Sequence, residues 1–219
     1  YAQLGLWREW QASTHVLEQL MSRSAENKRR KIAVEWEDKQ LLKHFTTLLG
    51  LMDALESLNP DRRGKAELVT KYALLIGEGF GISHSDQARL AHAARLHDIG
   101  CITLGGDEEG TDDGDEYLTH PLLGERMLEM FDVDESVQKA VRHHREWFDG
   151  TGGPDGLKGK AIPLFARIIA VAEGYVAHVL QRKDPMNAHT DSLRLLCAQS
   201  GQRYDPDVVD AFITIHGFS

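Results

Sequence analysis

Only two cysteines, Cys101 and Cys197, stand in this chain of 219 residues. Two are too few for a disulfide framework and fit a reducing compartment, the cytoplasm. No run of about 18 apolar residues occurs, so no membrane span is expected. No secretory leader is visible at the N-terminus. Positive charge is also scarce: 25 Lys and Arg face 34 Asp and Glu, for a formal net charge of -9. That balance argues against non-specific binding of duplex nucleic acid. Strand-like alternation of useful length is missing as well. What remains is 42% hydrophobic and 27% charged residues, ordinary for a globular core, and eleven histidines, several of them in the middle of the chain. The first residue is Tyr rather than Met, so a preceding domain is expected to be absent from this sequence.

Apolar residues recur three and four apart almost throughout, so the fold class expected is all-α. Residues 1–58 read as one or two long helices, with the charged stretch SAENKRRKIAVEWEDK as a solvated face or helical linker. Asn59-Pro60 breaks the pattern. Helices are then predicted over about 64–79 and about 85–97, the second stopped by Gly100. The stretch GGDEEGTDDGDE, residues 105–116, reads as an acidic loop without EF-hand spacing. Thr119 is placed to cap a helix running through about Phe131, with Pro121 in its first turn. Further helices are expected at about 135–147, 162–181, 190–199 and 206–215.

Helical phase shows which polar residues turn inward. The stripe Ile162, Ala166, Ile169, Glu173, Val176, Leu180 carries Glu173 in the middle of an apolar face. A buried ionised carboxylate is costly unless paired, hydrogen-bonded or bound to a metal. His144 shares a stripe with Val137, Val141 and Phe148, with His143 beside it. His120 is in phase with Leu123, Met127 and Phe131, while Leu90, Ala94, His97 and Asp98 approach one side of their helix end. One such histidine is usually a satisfied core residue. Six imidazole and carboxylate groups on four helices are the donors that Mn, Fe or Zn prefer. Spacing alone leaves their convergence open.

The order of five segments, AARLHDIG, THPLLGERML, VRHHREWFDGTGGPDGLKG, IPLFARIIAVAEGYVAH and GQRYDPDVVDAF, resembles the HD-GYP domain of the HD phosphohydrolase superfamily. The resemblance covers about residue 45 to the end. It implies a helical bundle of the HD type over 59–219, preceded by an N-terminal helical extension, 1–58. It also implies a bacterial phosphodiesterase that hydrolyses cyclic di-GMP to pGpG or GMP, using one or two divalent ions, iron or manganese. By position the metal ligands fall on His97, Asp98, His120, His143, His144 and Glu173, where the family has Asp in place of Glu173. Asp98 matches the residue that bridges two metals and is central to catalysis. Arg182, Gly152, Gly153 and Pro154 match substrate-facing positions, and Lys158, Lys160 and Arg167 add positive charge near the glycine loop or serve as surface charge.

Three positions depart from the family. Lys65 stands where a His ligand is usual, Cys101 where a Lys meets substrate phosphate, and Gly153 where the Tyr of Gly-Tyr-Pro stands. A charged lysine has no lone pair and cannot ligate. Lys65 either snorkels to solvent or takes the space and charge of one metal. Asp61 matches the acid that accompanies a third metal, which the missing His argues against. Three functions stay open: a turning-over cyclic di-GMP phosphodiesterase, a degenerate module that binds nucleotide or a protein partner, and an HD-type phosphohydrolase acting on another nucleotide or phosphate ester. An upstream sensory or receiver domain and a homodimer through the N-terminal helices complete the expectation.

Overall fold

The computed structural model describes residues 39–58, 62–104, 115–182 and 185–215. The expected helices over 1–38, most of the acidic loop, and Asp61 lie outside the described residues. The described residues form eight α-helices and no strand. They are α1 (Lys39–Leu58), α2 (Lys65–Gly79), α3 (His84–Leu96), α4 (Asp115–Met130), α5 (Glu135–His143), α6 (Leu164–Gln181), α7 (Pro185–Ala198) and α8 (Pro206–Ile215). Two 3-10 turns, Ile99–Leu104 and Gly159–Ala161, follow α3 and precede α6.

Local chemistry sets several boundaries. Ser83 Oγ accepts from the backbone N–H of Asp86 and starts α3, and Asp134 accepts from Ser136 N–H and starts α5. The start of α2 is capped from another helix: the Glu56 carboxylate of α1 accepts from Gly64 N–H (3.2 Å) and Ala66 N–H (3.0 Å). That bond fixes where Lys65, the first residue of α2, begins its reach.

Helix α6 is the centre of the bundle. It packs against α2, α3, α5, α7 and α8, and eight of its residues are buried. By length and composition α6 could cross a membrane. In this fold it is a core helix that carries the buried Glu173. The core gathers Leu48, Met52 and Leu55 of α1 with Ile76, Leu90, Leu96, Leu128, Val141, Ile169 and Phe212. Because those α1 side chains are buried in it, the compact unit begins at Lys43, ahead of the 58/59 division read from the sequence.

Four local expectations change. Thr119 lies inside α4, which starts at Asp115, so it is not the cap. Helix α5 ends at His143, with His144 as its C-cap, so Phe148 is not on the same helical stripe. Leu180 is 48% exposed rather than core-facing, because the end of α6 runs out of the bundle. Gly100 does not stop α3. It sits in the 3-10 turn against α4, where a Cβ would lie 2.0 Å from the carbonyl oxygen of His120 and 2.7 Å from Gly124 N. The glycine therefore lets two backbones meet and draws His120 toward Asp98.

Replacing Gly100 with Ala is expected to cost about 3 kcal/mol of unfolding free energy, because backbone rather than a flexible side chain must give way. Urea unfolding of the variant against the parent chain checks this, and an unchanged midpoint would contradict the close approach.

Candidate functional site

Five of the six inward groups meet at Asp98. His97 and Asp98 leave the end of α3, His120 comes from α4, His144 from the C-cap of α5, and Glu173 from mid-α6. All five are buried. On one side of Asp98, Oδ2 lies 3.3 Å from His97 Nε2, which is 3.9 Å from Glu173 Oε1. On the other, Oδ1 lies 3.5 Å from His120 Nε2 and 3.8 Å from His144 Nε2. The two imidazole nitrogens of His120 and His144 are 3.2 Å apart.

Backbone carbonyls orient two of the rings. His97 Nδ1 bonds to Ala94 O (2.8 Å) and His144 Nδ1 to Val141 O (2.7 Å). A carbonyl only accepts, so both rings carry hydrogen on Nδ1 and turn Nε2 to the centre. Burial, then the neighbouring Arg145, hold the His144 pKa well below the ordinary value, so the ring is neutral.

Three cations of the chain share this space. Lys65 Nζ lies 2.8 Å from Glu173 Oε1 and 3.3 Å from Asp98 Oδ2. Arg145 donates through one terminal nitrogen to Glu173 Oε1 (2.8 Å), and that nitrogen stands 3.6 Å from Asp98 Oδ1. Its Nε–H donates to His144 Nε2 at 3.1 Å. Arg62 lies 3.5 Å from Asp98 Oδ2. Burial works against every charge here, and the pairing outweighs it. Lys65 is held above its ordinary pKa by Asp98 and Glu173. Asp98 is held well below its own by His97 and Lys65, and Glu173 well below by Arg145 and Lys65. Of the two readings open for Lys65, the ammonium turned into the centre is the one observed.

The donors fit a divalent cation on chemical grounds. Asp98 Oδ1 and His97 Nε2 are buried with no hydrogen-bond partner, and each faces other lone-pair atoms. Buried nitrogen and oxygen atoms left without a bond are what a metal ion can satisfy. His97, Asp98 and Glu173 form one such group, and Asp98, Cys101 and His120 a second. The fit is better on the Oδ1 side, where Oδ1 itself makes no hydrogen bond although Arg145 bonds His144 Nε2, because Lys65 already bonds both carboxylates on the other.

The remaining expected residues fall elsewhere. His143 turns its Nδ1 to Glu146 (3.7 Å) and Asp155 (3.5 Å) and is grouped with those two acids. Burial lowers its pKa. Cys101 is buried, with its backbone N–H on Asp98 O (3.0 Å). Arg182 follows α6 with its side chain 47% exposed, 3.4 Å from Asp191. Arg167 pairs with Asp205 and donates to Ile162 O, and Lys160 pairs with Asp205 and Asp207, so both brace the α8 start. A cleft of about 390 Å³ opens from the Asp98 centre along α6, and neither Arg182 nor Gly152, Gly153 and Pro154 lines it.

Sequence reasoning missed Arg145 and Arg62. A signal was present: an inward Glu173 needs a partner, and a cation directly after His144 leaves α5 on the side of the centre.

The HD domain family model matches residues 50–208. The chain is 32% identical over 225 residues to the cyclic di-GMP phosphodiesterase response regulator RpfG of Xanthomonas campestris, covering 94% of this chain and 58% of that protein. It is 36% identical over 138 residues to a probable cyclic di-GMP phosphodiesterase of Vibrio cholerae, covering 55% and 31%. Among solved structures, a cyclic GMP-AMP specific phosphodiesterase of V. cholerae superposes with a TM-score of 0.65 at 19% identity, over 78% of this chain and 48% of that one. The chain thus spans little more than half the length of the first relative and about a third of the second.

Lys65→Met leaves two buried carboxylates short of a cation. In metal-free buffer it is expected to cost about 3 kcal/mol. Millimolar Mn2+ should then raise the melting temperature of the variant more than that of the parent chain. Thermal melts with and without the ion measure both, and equal metal shifts would deny Lys65 its place in the centre.

Proposed function

The chain belongs to the HD domain family, and from that premise we propose a metal-dependent phosphodiesterase that opens cyclic di-GMP to pGpG or GMP in bacterial second-messenger signalling. One observation carries the reading: the Asp98 carboxylate stands between two sets of imidazole nitrogens with Oδ1 unsatisfied. His120, His144 and Asp98 would hold an ion on that side, with His97 and Glu173 the donors on the other. Iron and manganese both suit this nitrogen and oxygen set. When bound, such an ion supplies an activated water and polarises the phosphodiester.

The chain's own cations do the rest. Arg62 and Arg145 each have guanidinium N–H groups at the edge of the cleft, the geometry that suits phosphate oxygens. Three cations against two carboxylates leave the pocket positive in a chain of net charge -9, which favours an anionic ligand there. Cys101 is buried and, unlike a lysine, supplies no cation.

A second reading is a module that binds nucleotide or a protein partner without turnover. Lys65 and Arg145 favour it, because between them they spend acceptor capacity that an ion on either side of Asp98 would need. An upstream sensory or receiver domain belongs to the proposal and is supported by the response-regulator name of the Xanthomonas relative. A homodimer through residues 1–58 and a cytoplasmic location, in keeping with Cys101 and Cys197 forming no disulfide, complete it.

Incubation with cyclic di-GMP, or with cyclic GMP-AMP, in Fe2+ or Mn2+ and chromatography of the products decides between the two. The first reading expects linear dinucleotide, reduced about 100-fold or more by Asp98→Asn or His144→Ala. Binding without product, together with product from Lys65→His, would instead establish the second.

A further inference from the structure

The cleft does not end at the carboxylates. Trp147, Gln199, Arg203 and Tyr204 also line it. The Arg203 guanidinium lies 5.3 Å from the centre of the Trp147 ring and 5.7 Å from that of Tyr204. Backbone bonds fix this pair. Phe148 N–H donates to Arg203 O (3.2 Å), Asp149 N–H to Gln202 O (2.8 Å), and Arg203 N–H to Gln199 O (3.0 Å). Gly152 packs against Trp147 from outside the cleft: a Cβ there would lie 2.2 Å from Trp147 N and 2.7 Å from Trp147 Cδ1. Its glycine is thus required by the packing of Trp147. Beside the pair, Gln199 Oε1 is buried and makes no hydrogen bond.

A rigid aromatic ring and a guanidinium plane stand together in the lining of the cleft, with the Gln199 side chain beside them. Such planes are what recognition of a nucleobase uses: stacking on a ring or guanidinium. On the reading that the Asp98 centre takes a phosphodiester, we propose that Trp147, Arg203 and Gln199 form its nucleobase subsite. The base stacks on the Trp147–Arg203 pair, with the Gln199 side chain beside it. This pair carries the stacking that Gly153 cannot.

Calorimetric titration of the whole chain with GMP and with ribose 5-phosphate tests the subsite, since the two differ by the base. GMP is expected to bind about tenfold tighter. Trp147→Ala and Arg203→Ala should each bring the ratio close to one, and Trp147→Phe should keep most of it. GMP should also quench indole fluorescence in the parent chain and not in Trp147→Phe, because Trp147 is the one tryptophan past residue 36. Equal affinity for the two ligands, or an unchanged ratio in Arg203→Ala and Trp147→Ala of normal melting temperature, would overturn the proposal. Should Trp147→Ala not fold, Arg203→Ala and the fluorescence decide. A base preference without hydrolysis of cyclic di-GMP supports the subsite and removes turnover from the reading beneath it.

Discussion

Two carboxylates buried at the centre of an apolar helix bundle set the terms for everything around them. Asp98 and Glu173 are almost out of contact with water, yet both remain ionised. Taking a carboxylate out of water costs several kcal/mol, and only close positive charge and lone-pair matching offset it. Helix α2 begins where it does because Glu56 caps it, and so Lys65 arrives at the two acids. Gly100 lets α4 touch the turn after α3, and so His120 arrives as well. The carbonyls of Ala94 and Val141 aim two further imidazoles.

That solution leaves the centre with more positive than negative charge of its own. Charge of this kind attracts a phosphate and at the same time competes with a divalent ion for the same acceptors. The two functions proposed differ in which of these wins. Lys65 bonds both carboxylates on the Oδ2 side of Asp98, while the Oδ1 side keeps an unsatisfied oxygen facing two histidines. The asymmetry favours one ion over two and ties the chain's departure at position 65 to a physical consequence.

Much of the centre was legible before any coordinates. His97, Asp98, His120, His144 and Glu173 each broke an apolar stripe, and inward polar groups on four helices have few reasons to be there. His143 was carried over by position from the family resemblance; it sits about 100° around the helix from His144, and its Nδ1 lies near Glu146 and Asp155. Arg182 was carried by position, and the end of α6 leaves it by Asp191. Arg145 went unread because helical phase stops being informative once α5 has ended.

The sequence by itself determined the class of the fold and the groups that had to be paid attention to in its interior, because hydrophobic periodicity and the cost of burying charge act on each helix locally. It also determined that position 65 carries a permanent cation and that residue 153 has no ring. Only the tertiary structure decided which groups share one space. Contacts such as Lys65 with Glu173, Arg145 with His144, or Arg203 over Trp147 depend on where helix ends and turns come to rest. Those positions follow from backbone packing at Gly100 and Gly152, where allowance is measured in tenths of an ångström and no local pattern records it.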